Sequence, residues 1–80
     1  MSGKQLKMKL GRRAAYLKRC IRVIELLAQY ENNATIRYRI FEKHIQPEMG
    51  CSYATFNNML NEPNPHKQLE EIENQIQSLN

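Results

Sequence analysis

The chain predicts an all-α fold, a small three-helix bundle with a further amphipathic helix at the C-terminus. Three observations predict it. Strong helix formers dominate the composition. Only three glycines and three prolines occur, too few for a turn-rich β fold. Apolar residues recur at steps of three and four rather than in alternation. Eighty residues make a single domain. A chain this short buries only about 60–65% of the surface its unfolded form exposes, so its core is thin.

The first ten residues carry lysines but no sustained apolar period, and residues 1–10 read as a flexible basic arm. From 12 to 30 the pattern is helical. Leu17, Cys20, Ile21, Ile24, Leu27 and Ala28 fall on one stripe. The asparagine pair at 32 and 33 ends this helix. A second helix is expected to start at Thr35 or one residue earlier, with the threonine hydroxyl as its cap. Ile36, Ile40, Phe41 and either His44 or Ile45 make its inner face. The same segment also fits strand alternation through Ile36, Tyr38 and Ile40. Pro47 is expected to stop the helix, leaving 46–51 as a turn around Gly50.

Ser52 caps a third helix, with Cys51, Phe56, Met59 and Leu60 turned inward and closure at Asn61 and Pro63. Asn64 and Pro65 read as a cap and a first helical residue. A fourth helix follows within 63–80. Leu69, Ile72, Ile76 and Leu79 give it an apolar seam at spacings of three, four and three. That seam fits a homodimer interface and, equally, a last core helix of a monomer.

Charge is unevenly spread. Lys4, Lys7, Lys9, Arg12, Arg13, Lys18, Arg19 and Arg22 stand in the first 22 residues without one acidic residue among them. From Glu62 onward, Glu62, Glu70, Glu71 and Glu73 face a single Lys67. This asymmetry points to a polyanion at the basic end. A solvated tail that keeps the protein soluble is the plainer alternative. Lysines and arginines on an arm release counterions from a duplex, which makes Lys4, Lys7, Lys9, Arg12 and Arg13 candidate phosphate contacts.

The segment 50–61 carries most of the functional information. A glycine turn, a capping serine and a short helix with a polar outer face leave Tyr53, Ala54, Asn57, Asn58 and Asn61 outward. Asparagine reads adenine through two hydrogen bonds in the major groove. Tyr53, Ala54, Asn57 and Asn58 are therefore the candidate base contacts. The run Cys51, Ser52, Tyr53, Ala54, Thr55, Phe56, Asn57, Asn58, Met59, Leu60, Asn61 resembles the recognition half of helix-turn-helix proteins, particularly the lac-repressor-type regulators. The resemblance covers about a dozen residues. It implies a helix-turn-helix-like unit within a DNA-binding domain spanning 11–62. It places Tyr53, Ala54 and Asn58 on bases, and Ser52, Thr55 and Asn61 on the phosphate backbone.

The expected function is a small DNA-binding regulator or accessory factor of phage or mobile-element type. Double-stranded DNA is the expected partner, and a homodimer is possible. A protein-interaction or assembly module, an adaptor or virion component working through the acidic C-terminal helix, is the competing expectation. RNA binding ranks below both, because no platform of exposed aromatics on a sheet is present. No enzyme, cofactor or small-molecule ligand is expected, since the pattern holds neither a phosphate loop nor a serine elbow. Cys20, His44, Cys51 and His66 lack the close pairs typical of zinc sites, so no metal is expected. The two cysteines read as buried thiols in a cytoplasmic protein. No run of about 18 apolar residues exists to span a membrane.

Overall fold

A computed structural model describes residues 3–32 and 36–79. The chain is all-α, with four helical segments and no strand among the described residues. Helix α1 spans Gly3–Tyr30. Helix α2 covers 37–49 in three joined stretches, Arg37–Ile40, Phe41–Ile45 and Gln46–Met49. Helix α3 is Tyr53–Leu60 and α4 is Pro65–Ser78. Thr35, the expected cap of α2, lies outside the described residues, as does the side chain of Lys4.

The segment expected as an arm forms the opening turns of α1, which begins at Gly3 instead of Arg12. Lysine, glutamine, leucine and methionine all favour helix, and Gly11 alone costs about 1 kcal/mol there. Nothing packs where a Gly11 side chain would stand. At 1.5 Å per residue α1 is about 42 Å long, close to the 50 Å long dimension of the molecule.

The buried stripe of α1 differs from the expected one. Ala14, Leu17, Cys20, Val23, Leu26 and Leu27 are buried, Ile21 and Ile24 are half-buried, and Ala28 is exposed. Successive steps of three turn back by about 60° around a helix of 3.6 residues per turn. The inward face therefore winds around α1 from Ala14 to Leu26. One stretch of the helix meets α4, while the other meets α2 and α3.

That second stretch holds the main core. Cys20, Val23, Leu26 and Leu27 pack with Ile40, Phe41, Ile45, Cys51, Phe56 and Met59. Ile36 lies outside it, 63% exposed. It occupies the extended cap position before Arg37, where its carbonyl accepts the Arg39 and Ile40 amides and its side chain turns to solvent. Helix α2 thus begins later than the threonine pattern implies.

Pro47 does not stop α2. The Gln46 amide donates to the Phe41 carbonyl, five residues back, and opens a wide π-type turn over Phe41–Ile45. Proline has no amide to donate and its ring crowds the preceding turn of an ordinary helix. The wide turn passes Pro47, and the helix continues to Met49. It ends at Gly50, in the left-handed region at φ 65° and ψ 27°, whose amide donates to the Gln46 carbonyl at 2.8 Å. The connection to α3 is therefore Gly50, Cys51 and Ser52, shorter than the expected turn. Since an added Cβ at Gly50 meets nothing, Gly50→Ala costs only the conformational penalty. About 1 kcal/mol of stability should be lost in a urea melt, and Gly50→Asn should recover part of it.

Helix α3 begins as its sequence pattern predicts. The Thr55 amide donates to Ser52 Oγ at 3.1 Å, and Phe56 and Met59 are fully buried. At the start of α4, Asn64 holds the cap position, but its backbone is left-handed and its side chain caps nothing. Gln68 instead ties the first turn of α4 to the segment before it. Its side-chain amide donates to the Pro63 carbonyl and, at 3.1 Å, to Glu62 Oε1. Leu69, Ile72 and Ile76 are half-buried and Leu79 is exposed. Their helix packs on α1 of the same chain.

Candidate nucleic-acid interface

The expected site residues are distributed around α3, and their surroundings divide them. Ala54, Thr55, Asn58 and Asn61 are exposed, Asn57 is half-buried, and Ser52 is exposed while capping the helix. The Ser52 hydroxyl also donates to Thr55 Oγ1 at 3.0 Å. These two hydroxyls therefore form a small fixed unit at the positive end of the helix dipole.

Tyr53 is not the free outward residue expected. Its ring meets Tyr38 edge-on at 4.9 Å, Phe41 at 5.3 Å and Phe56 at 5.7 Å. Aromatic packing of this kind fixes the ring and draws the start of α2 up to the start of α3. Arg37 and Arg39, on either side of Tyr38 in sequence, are both exposed. No local pattern links position 38 with position 53.

Helix α1 brackets α3. Arg19 donates to the Met49 carbonyl at 3.3 Å, just before the turn into α3. At the other end, Arg13 pairs with Glu62 and donates to Gln68 Oε1 at 3.0 Å. Its guanidinium also lies 5.4 Å from the Tyr16 ring centre. Arg13 thus clamps α1 to the junction of α3 and α4, and its charge is engaged within the chain.

Arg22 is likewise engaged, at 2.6 Å from Glu48 and 3.7 Å from Glu25. Its hydrogen bond holds the Glu48 carboxyl below the usual carboxylate range and pushes Arg22 further up. Burial raises both the Tyr16 hydroxyl and the Cys20 thiol above their ordinary values. Cys20 and Cys51 are both buried free thiols, and Cys20 belongs to the core rather than to a reactive site.

What remains is a set of exposed bases on α1. Lys9, Arg12, Lys18 and Arg19 are exposed and make no ion pair among the described residues. Lys7 and Lys18, also exposed, stand on another side of the helix from Lys9, Arg12 and Arg19. Steps of three and four place Lys9, Arg12, Tyr16 and Arg19 on one face of α1. Further along, Val23 and Leu27 on that same face are buried by α2 and α3. The row therefore leads directly into the lobe that holds α3. Arg19 is an addition to the candidate contacts. Its positive charge was visible in the sequence, but its place beside the turn into α3 depends on the Met49 contact.

Glu70, Glu71 and Glu73 are exposed on α4. No helix among the described residues is long and apolar enough to cross a membrane, and no three His, Cys, Asp or Glu side chains among them are grouped to hold a metal. No protein-family model, curated protein or solved structure matches the chain.

Proposed function

We propose that the chain is a small regulator or accessory factor that binds double-stranded DNA, with α3 in the major groove and the α1 row on the phosphate backbone. The single observation that carries this reading is the unpaired basic row Lys9, Arg12 and Arg19, which leads to the turn before a capped helix with an exposed polar face. Cations on a helix have their backbone ordered before binding, unlike cations on a tail, so less entropy opposes capture. Ala54, Asn57 and Asn58 are the proposed base-facing residues, with Tyr53 as their aromatic support. Ser52, Thr55 and Asn61 are the proposed phosphate contacts at α3. Arg13 is left out because Glu62 neutralises it.

Fluorescence anisotropy tests the reading, using a labelled random duplex of roughly 30 bp and its single strand at several salt concentrations. Steep salt dependence with preference for the duplex supports it. No binding at low salt overturns it and favours the assembly role, for which the exposed Glu70, Glu71 and Glu73 face is the available surface. Once a preferred site is selected, Asn58→Ala should weaken it by about 1–3 kcal/mol and leave random-duplex affinity nearly unchanged. Equal loss on both would remove the base-reading role. Homodimerisation through Leu69, Ile72, Ile76 and Leu79 is a further proposal. Sedimentation of Leu69→Asp/Ile76→Asp would read it, alongside a check that α4 still packs on α1.

A further inference from the structure

A cavity of about 450 Å³ opens where the end of α1 meets the first turns of α2, away from the α1 row. No carboxylate lines it. Arg39 and Lys43 line one side, one helical turn apart on α2, and neither makes an ion pair among the described residues. Like charges at this spacing repel, so the chain holds two uncompensated cations at one opening. Opposite chemistry completes the lining. The His44 ring stacks flat on Tyr30, with centroids 3.6 Å apart and planes 3° from parallel. The exposed Ile36 adds apolar surface.

A guanidinium and an ammonium beside a fixed aromatic pair and an exposed isoleucine match an amphiphilic anion. The cations fit phosphate oxygens, for which arginine offers paired donors. The flat and apolar surfaces fit a sugar and base. The volume lies in the range that holds small organic ligands, well above that of a bare anion.

We propose that this cavity binds a phosphorylated ligand of nucleotide size, with its phosphate on Arg39 and Lys43. The sequence alone pointed to no small-molecule ligand, and this site is independent of the α3 interface. A free mononucleotide and a nucleotide within a nucleic-acid strand present the same chemistry.

The test is an NMR titration of the isotope-labelled full chain with AMP, inorganic phosphate and adenosine at constant ionic strength. The His44 imidazole and Arg39 Nε signals are followed. The site predicts saturable shifts with AMP, weaker ones with phosphate and none with adenosine. Arg39→Gln/Lys43→Gln should abolish the AMP response. Both side chains are exposed, and circular dichroism verifies that the variant keeps its fold. Absence of saturation with AMP, equal binding of adenosine, or AMP binding retained by the folded variant would overturn the proposal. Duplex affinity of the same variant separates the sources. A loss of about fivefold or more assigns the phosphate to a bound strand, and no change assigns it to a free nucleotide. The AMP titration uses no duplex, so either proposal can fail without the other.

Discussion

Phe56→Ala is expected to cost about 3–5 kcal/mol of folding stability, read from the midpoint of a urea or thermal melt. Phe56 is fully buried, 5.2 Å from the Phe41 ring and 5.7 Å from Tyr53. Truncation removes the transfer energy of the ring and leaves a hole between α2 and α3 that rigid helices do not close. A folded chain of this length has about 4–12 kcal/mol of stability in all. The variant should therefore be marginal or unfolded at 37 °C. A loss under about 1 kcal/mol would mean that the aromatic cluster does not organise the lobe.

The largest functional effect is expected from Lys9→Gln, Arg12→Gln and Arg19→Gln combined. Each phosphate contact contributes about 0.9 to the log–log salt slope, so three lost contacts should flatten it by about 2.7. Referred to 1 M salt, the same relation implies about five-hundredfold weaker duplex binding at 0.1 M. These side chains are exposed, and only Arg19 makes a hydrogen bond described above, a long one to a carbonyl. The melting midpoint should hardly move. Anisotropy across a salt series reads the slope. A variant with wild-type slope would place the phosphate backbone on another face of the molecule.

Helix α3 was legible in the sequence because its signals are local. Ser52 caps Thr55 three residues away, and Phe56 and Met59 lie on one side of two turns. The start of α1 was not legible in the same way. Residues 3–10 have helix-forming composition without a clear apolar period, and α4 packs on α1 from the far end of the chain. Pro47 misled for a related reason. Proline reports the loss of one amide, while the widened turn that absorbs this loss is a property of the whole segment. The candidate site was half legible. Its polar residues and charges stood in the sequence, but neither the aromatic support of Tyr53 by Tyr38 nor the neutralisation of Arg13 by Glu62 did. The stacking of Tyr30 on His44 beside the cavity was equally invisible, since it joins two helices through tertiary packing.

The wide turn over Phe41–Ile45 also acts as an angular setting. Each residue of an ordinary helix advances the chain by about 100°, so one residue added or removed upstream of Gly50 swings everything beyond it by that angle. The bearing of α3 is thus encoded in how many residues stand between Ile40 and Gly50, more than in which ones they are. Point substitutions on the outer side of this stretch should be absorbed, whereas a single-residue insertion or deletion would aim Asn58 at a different quarter of the surroundings. Selection on such a chain would act on its length at this place as strictly as on its chemistry at α3.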